Sequence, residues 1–117
     1  MILNRVVQYQ AQLDRTFAAL SDPTRRGILE RLGRGRATIS ELAEPFGISL
    51  TGLKKHVHVL EEAELVRTEK VGRTRWCSLG PQDLDAVQRW IAGYRLMLDE
   101  RLDRLGELLE GTKGEQG

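Results

Sequence analysis

The stretch TISELAEPFGISLTGLKKHVHVL, residues 38–60, decides the fold of this chain. Thr38 is followed three positions later by Glu41, which is the spacing of a capping box and predicts a helix that begins after Thr38. The glycine of the FGI triplet ends that helix, and Ser49 is placed to cap a second one over residues 50–64. Two short helices joined by a glycine-containing turn predict a helix-turn-helix.

The stretch LVRTEKVGRTRWCSL, residues 65–79, roughly alternates apolar and polar residues on both sides of a glycine. This pattern predicts a β-hairpin. A hairpin directly after the second helix of a helix-turn-helix is a wing. Arg73 and Arg75 lie at and just beyond its tip, where an arginine reaches DNA phosphates or the minor groove. The alternative interpretation is a solvated turn.

Two helices are predicted upstream. Apolar residues in steps of three and four predict a helix over residues 6–20 with one buried face, which includes Leu13 and Phe17. Ser21 or Asp22 is placed to cap a second helix, predicted over residues 23–32. These two helices precede the helix-turn-helix.

A last helix is predicted over about residues 82–110, where Pro81 suits the first turn and Asp83 and Asp85 favour the helix N-terminus. Its apolar residues fall on seven-residue repeats: Leu84, Ile91, Leu98 and Leu105 on one series, Val87 and Tyr94 on a second. Such a repeat is a packing seam for another helix. Residues 112–117 are rich in glycine and charge, and predict a flexible tail.

These elements predict a mostly α fold with a small β-hairpin, as one winged helix-turn-helix domain over residues 1–111. The length of 117 residues fits one domain. The sequence has no apolar run near the ~18 residues needed to span a membrane and no secretory signal at its start. Cys77 is the only cysteine, so an intrachain disulfide is excluded. We therefore expect a cytoplasmic protein.

The formal net charge is only +1, but the charges are unevenly distributed. Residues 1–80 carry 13 Lys and Arg against 9 Asp and Glu, whereas residues 81–117 carry 5 against 8. The basic excess is concentrated near Lys54, Lys55 and the predicted wing. A locally basic face is what phosphate contact requires. The alternative is that each of these charges is simply solvated.

The helix after Ser49 is the candidate for base recognition, because the second helix of a helix-turn-helix enters the major groove with its early residues. Lysine donates to guanine, and threonine contacts bases or the thymine methyl group. Ser49 and Thr51 equally suit phosphate contacts. Gly52 either permits close approach to DNA or is merely tolerated in the helix.

Other chemistry finds little support in the sequence. His56 and His58 are two residues apart and point in nearly opposite directions on a helix, so they do not readily chelate one metal. A lone cysteine such as Cys77 usually packs as a small apolar residue when it faces inward, although a redox role stays open. No phosphate-binding loop or nucleophile motif occurs. We predict neither an enzyme, a cofactor nor a metal site.

The runs LDRTFAALSDPTRRGILERL and TISELAEPFGISLTGLKKHVHVLEEAELVRTEKVGRTRW resemble the ArsR-type (arsenic-repressor-like) winged-helix regulators, over roughly residues 12–105. The resemblance implies a homodimeric repressor, with the first and last helices as the dimer interface, that an effector releases from DNA. Metal-sensing members carry a Cys-x-Cys type motif where this chain reads Glu41-Leu42-Ala43-Glu44. The resemblance is therefore to the branch that does not sense metals.

The resemblance also implies site residues. Those of the DNA-binding surface are Ser49, Thr51, Gly52, Lys54, Lys55, His56, Arg73 and Arg75. Those of the dimer interface are Leu13, Phe17, Leu84, Val87, Ile91, Tyr94, Leu98 and Leu105. The expected partners are a second copy of the chain and double-stranded DNA with an imperfect palindromic operator. The alternative function is a protein–protein interaction module built on a winged helix.

Overall fold

The computed structural model describes the backbone of residues 2–82 and 84–116, and the side chains of residues 5–82 and 84–111. The chain divides into two compact units, Met1–Leu84 and Asp85–Gly117. The helices are α1 Ile2–Leu20, α2 Pro23–Leu32, α3 Ile39–Ala43, α4 Leu50–Glu62 and α5 Asp85–Gln116; the strands are β1 Ala37–Thr38, β2 Val66–Val71 and β3 Thr74–Leu79. The predicted mostly α fold with a small β-hairpin is confirmed.

Side-chain caps define where the helices of the first unit begin. The Asp22 carboxylate accepts the backbone N–H of Arg25 at 3.1 Å, so Asp22, rather than Ser21, caps α2. The Thr38 hydroxyl accepts from the backbone of Glu41 and caps α3. The Ser49 hydroxyl caps α4 in the same way. These local hydrogen bonds satisfy N–H groups that have no partner within the helix.

The turn between α3 and α4 is shaped by a proline. Helix α3 ends at Ala43, and a 3₁₀ turn over Glu44–Phe46 follows it. Pro45 lies within that 3₁₀ turn, where its missing N–H and its ring prevent α3 from continuing as an α-helix. The aromatic ring of Phe46 packs against α2 at Gly27. A β-carbon added at Gly27 would lie only 2.7 Å from the nearest ring carbon.

The sheet contains one strand that the sequence analysis did not predict. The order is β1-β3-β2, antiparallel throughout. Strand β1 has only two residues, and its Ala37 pairs with Cys77 of β3. The predicted hairpin is confirmed: Val71 pairs with Thr74 across a two-residue turn in which Gly72 has φ 63°. A glycine with positive φ at the first central position matches the twist of a hairpin.

The core of the first unit joins both helices of the helix-turn-helix to the sheet. Its largest fully buried side chains are Ile28, Leu42, Leu53, Leu60 and Cys77. Helix α4 presents Leu53, Val57 and Leu60 to this core, as the apolar spacing predicted. The opposite side of α4 is thereby held outward from the domain.

The start of the last helix is a correction to the sequence analysis. Helix α5 begins at Asp85, not near residue 82, and Leu84 precedes it with φ 65°. Gly80 donates its N–H to Leu65, and Gln82 donates to Glu64, so this segment is hydrogen-bonded to the turn after α4 and is not helical. Leu84 packs partly buried against the core of the first unit and does not belong to the α5 seam. Asp83, the other predicted N-terminal aspartate, lies outside the described residues.

Helix α5 continues to Gln116, whereas the sequence predicted its end near residue 110. The glycine at position 111 is the signal that suggested an end. A glycine within a helix costs only about 1 kcal/mol relative to alanine, which does not by itself stop the helix. The flexibility of residues 112–117 stays a prediction.

Candidate nucleic-acid interface

A cleft of about 370 Å³ lies between the start of α4 and the wing. Four cationic side chains and three hydroxyl groups line it: Lys54, Lys70, Arg73 and Arg75 with Thr38, Ser40 and Thr74. Its lining residues come from the start of α3, from the first turns of α4 and from the β2–β3 hairpin. No carboxylate is among its lining residues. The arrangement suits an anionic ligand that contacts helix and wing at once.

The outward side of α4 carries further exposed polar residues. Thr51, Lys54, Lys55 and His58 are all exposed. His58 lies 3.0 Å from the carboxylate of Glu62, one helical turn further along. The two lysines have no such ion pair among the described residues, so their charges are available to a ligand.

Ser49 and Gly52 form one local unit at the start of α4. The Ser49 hydroxyl accepts the N–H of Gly52 at 3.0 Å. A β-carbon on Gly52 would come to 3.3 Å from that same hydroxyl oxygen and within 4 Å of no other group. The absent side chain therefore relieves a mild crowding of the cap and leaves the surface beside it open.

His56, also predicted for the DNA-binding surface, lies on the flank of α4 and is half-buried against the start of α2. Its Nδ1 lies 3.1 Å from a guanidinium nitrogen of Arg25 and 3.9 Å from the carboxylate of Asp22. The backbone N–H of Arg25, which donates to Asp22, is the main reason why the pKa of that carboxyl is lowered; burial opposes this and the nearby His56 adds to it.

Arg75, predicted for the wing, takes part in a short polar network that links the wing to α4. Its guanidinium donates to the Thr68 hydroxyl at 3.0 Å, and that hydroxyl donates to the carboxylate of Glu61 at 3.2 Å. Thr68 lies on β2, Arg75 on β3 and Glu61 on α4. The network links one face of the hairpin to α4.

Comparison with known proteins identifies the class to which this geometry belongs. A model of the helix-turn-helix domain matches residues 20–69. The HTH-type transcriptional regulator Rv2034 of Mycobacterium tuberculosis is 35% identical over 98 residues, which cover 77% of this chain and 92% of that protein. The transcriptional repressor SdpR of Bacillus subtilis is 33% identical over 82 residues, or 70% of this chain and 91% of the relative.

Solved structures agree. The crystal structure of an ArsR family transcriptional regulator is 44% identical, with a TM-score of 0.71, and the match covers 77% of this chain and 93% of that one. The chain belongs to the ArsR family of winged helix-turn-helix transcriptional regulators. A homodimeric winged helix-turn-helix DNA-binding domain from Mycobacterium bovis, a possible ArsR-family member solved by NMR, is 25% identical with a TM-score of 0.64, covering 86% and 90% of the two chains.

Membership of the ArsR family identifies the DNA-binding elements of this chain. Helices α3 and α4 are the helix-turn-helix, and β2 and β3 are the wing. The predicted fold, family and class of protein, a DNA-binding transcriptional regulator, are confirmed. The positions of the individual contacts to DNA stay predictions.

The residues predicted for the dimer interface of this ArsR-family chain differ in exposure. Leu13 and Val87 are buried within the single chain, and Phe17 is partly buried. A second copy of the chain could therefore cover little additional surface on these three residues. The exposed members of the α5 series are Ile91, Tyr94, Leu98 and Leu105, with 40–59% of their surface accessible.

Several residues of the cleft and its surroundings were not predicted. Thr38 and Ser40, at the start of α3, lie more than thirty positions before Thr74 and meet it only in the folded domain. Arg25 belongs to the DPTRR motif, but nothing in that motif signals a contact with α4. Such contacts depend on tertiary packing, which periodicity and caps do not report.

Metal binding and membrane spanning each require a recognisable structural feature. Within the residues whose side chains are described, no three histidine, cysteine, aspartate or glutamate side chains are grouped so as to hold a metal ion. Among the described helices, none is both long and apolar enough to cross a membrane.

Proposed function

We propose that this protein is a homodimeric, sequence-specific repressor that reads DNA with the outward side of α4 and grips the backbone with its wing. The observation that carries the proposal is the cleft in which Lys54 of the helix and Lys70, Arg73 and Arg75 of the wing face one space. DNA presents a continuous row of phosphates bordering the groove that a recognition helix enters. A helix and a wing with cations directed into one cleft match that target.

The proposal gives different roles to the two sides of the site. Thr51, Lys54 and Lys55 are exposed on the helix; Thr51 is placed to meet base edges in the major groove, and the two lysines are placed to meet base edges or the phosphates beside them. Arg73 and Arg75 follow the wing and are placed to meet phosphates or the neighbouring minor groove. Ser49 contacts phosphate beside its cap, and Gly52 leaves the backbone open there.

The dimer proposal rests on the apolar residues that the two terminal helices expose. On α5 these include Ile91, Tyr94 and Leu98, and on α1 they include Val6 and Tyr9. Exposed apolar residues at helical spacing favour burial against another helix. The M. bovis relative is homodimeric, which supports the same state here.

A two-fold dimer places its two recognition helices about one DNA turn apart, ~34 Å, so we expect an imperfect palindrome as the operator. Repression is supported by the relative from B. subtilis, which is a transcriptional repressor. We further propose that binding of an effector releases the protein from DNA. Action on DNA requires the compartment that holds the DNA, which supports the expected cytoplasmic location.

The experiment is selection of fragments bound by the full-length protein from the source genome, followed by sedimentation of the free protein. Enrichment of a motif with two-fold symmetry, together with a dimer in solution, is the expected result. A monomer that enriches no fragment above input would contradict the proposal and favour a protein-interaction module.

A further inference from the structure

One arginine side chain joins the end of α1 to the recognition helix. The Nε of Arg25 donates to the carbonyl of Ala19 at 2.9 Å, and its Nη2 donates to the carbonyl of Ala18 at 2.9 Å. The remaining Nη1 lies 3.1 Å from Nδ1 of His56 on α4. With three groups to contact, the guanidinium has a fixed position against the imidazole.

This contact determines where the imidazole carries its proton. A guanidinium is always charged and has donors but no acceptor, so Arg25 contacts Nδ1 favourably only when Nδ1 offers its lone pair. The proton of the neutral ring must then be on Nε2. The Asp22 carboxylate is 3.9 Å from Nδ1, beyond hydrogen-bond distance, and is engaged by the backbone of Arg25.

The Nε2 atom is accessible. No hydrogen bond to it occurs within residues 5–82 and 84–111. In the same part of the chain, no fully buried side-chain nitrogen or oxygen lacks a partner, so the unpartnered Nε2 keeps some exposed surface. The His56 side chain as a whole is 26% exposed. Gly52 precedes His56 by one helical turn and carries no side chain that would cover the ring.

We propose that His56 donates a hydrogen bond from Nε2 to a DNA phosphate oxygen, and that Arg25 is the positioning residue that orients the ring by engaging its Nδ1 atom. The inference rests on the proposed function. When the outward side of α4 faces bases, its flanks face the phosphates that border the groove, and His56 is on a flank. Arg25 thereby ties this DNA contact to the end of α1.

The charge state gives the proposal a measurable signature. A cation that neutralises a phosphate releases counterions and contributes about 0.9 to the slope of log affinity against log salt concentration. A neutral N–H donor strengthens binding but releases none. Loss of the His56 contact should lower affinity equally at every salt concentration, whereas Lys54→Ala should flatten the slope.

The first test compares His56→Asn and His56→Gln by titration on operator DNA in a salt series. Asparagine retains an acceptor near the Nδ1 position but has no donor near Nε2, whereas glutamine supplies the donor. We expect roughly tenfold weaker binding by His56→Asn with an unchanged slope, and a smaller loss for His56→Gln. Unchanged affinity of His56→Asn, or a slope reduced as for Lys54→Ala, would overturn the proposal.

The second test measures unrelated duplex DNA. A phosphate contact is independent of sequence, so His56→Asn should weaken binding to operator and to unrelated DNA by similar factors. A loss confined to the operator would assign His56 to a base edge and contradict the phosphate contact. If the wild-type protein binds neither DNA, the proposed function fails as a whole, which separates that outcome from failure of this inference.

The role of Arg25 is tested by a double-mutant cycle. Arg25→Met should weaken DNA binding in the wild-type background but add little to His56→Asn, because both act through one contact. Equal losses in both backgrounds would show that Arg25 does not act through His56. Nitrogen NMR shifts of His56 in the wild-type protein provide a test that does not depend on folding of the variant. The proton is expected on Nε2, and a proton on Nδ1 would overturn the proposal.

Discussion

The backbone of Gly80, just after the wing, lies directly against the carbonyl of Glu64, just after the recognition helix. A β-carbon on residue 80 would collide with the carbonyl oxygen of Glu64. The N–H of Gly80 donates to Leu65 at 2.9 Å, and that of Gln82 donates to Glu64 at 3.1 Å. The end of the wing is thus fixed to the end of α4, and Glu64 itself has φ 61°.

We expect Gly80→Ala to destabilise the protein by roughly 1–3 kcal/mol, because the added methyl group meets backbone atoms that have little freedom to move. Urea unfolding measures the loss. The matched control is Gly106→Ala, since a β-carbon there meets nothing within 4 Å inside α5. That substitution should be neutral or stabilising by up to about 1 kcal/mol. Equal effects of the two changes would contradict the close contact at Gly80.

The contrast between Gly80 and Thr38 shows which features of the fold could be predicted from the sequence. Thr38 caps a helix through a residue three positions away, and a signal of that range is readable in the sequence. Gly80 and Glu64 are sixteen positions apart, so their contact leaves no periodic trace. The same applies to β1, which is only two residues long, and to Leu84, whose φ of 65° places it outside the predicted helix.

The residues of the candidate nucleic-acid interface divide in the same way, into those set by local sequence and those set by long-range packing. Lys54 and Lys55 were predicted because a recognition helix has a defined position relative to its cap at Ser49. The contact between Arg25 and His56 was not predicted, because the two residues are 31 positions apart and meet only when α2 packs beside α4. Local patterns predicted the elements, whereas long-range packing positions the side chains.

Two charge substitutions on opposite sides of α5 are expected to differ in their effect on dimer formation. Ile91 is half-exposed, and burying an unpaired charge at its position in a helix–helix contact is unfavourable. Ile91→Asp should convert the dimer to a monomer in sedimentation velocity and weaken DNA binding. Leu96, also exposed, lies on the opposite side of the helix. Leu96→Asp should remain dimeric, and a dimeric Ile91→Asp would refute the interface.

Cys77 predicts a pH dependence of stability. Burial raises the pKa of its thiol to about 11, from an ordinary value of 9.0. Between these values the unfolded chain loses the proton while the folded protein keeps it, so this contribution to stability is complete below about pH 9 and is lost as the pH rises towards 11. Cys77→Ala should show a smaller loss of stability over that range. The same alkaline loss in both proteins would contradict a buried thiol.

Asp22 predicts the opposite dependence at low pH. Its pKa is below the usual 3.8, chiefly because the Arg25 N–H donates to its carboxylate. The stabilisation is present above pH 3.8 and is lost as the pH falls through the lower, folded-state pKa. Asp22→Asn retains a cap but does not titrate, so its stability should fall less on acidification. Parallel acid unfolding curves for the two proteins would argue against the cap.

The lysines of α4 predict a change in salt dependence. Lys54→Ala and Lys55→Ala should each weaken DNA binding and reduce the salt slope by about 0.9 for a lost phosphate contact. Arg104→Ala removes the same charge from an exposed position on α5 and is the control. If Lys54→Ala, like Arg104→Ala, leaves the salt slope unchanged, Lys54 does not contact a phosphate.

DNA reading by α4 and the wing is tested most directly by a fluorescence anisotropy titration of the full-length protein. The two duplexes are the DNA upstream of its own gene and a shuffled sequence of the same length and composition. We predict binding to the upstream DNA that is about 10³-fold tighter or more, with an affinity that falls steeply as salt rises. Equal affinity for both duplexes at every salt concentration would contradict the account.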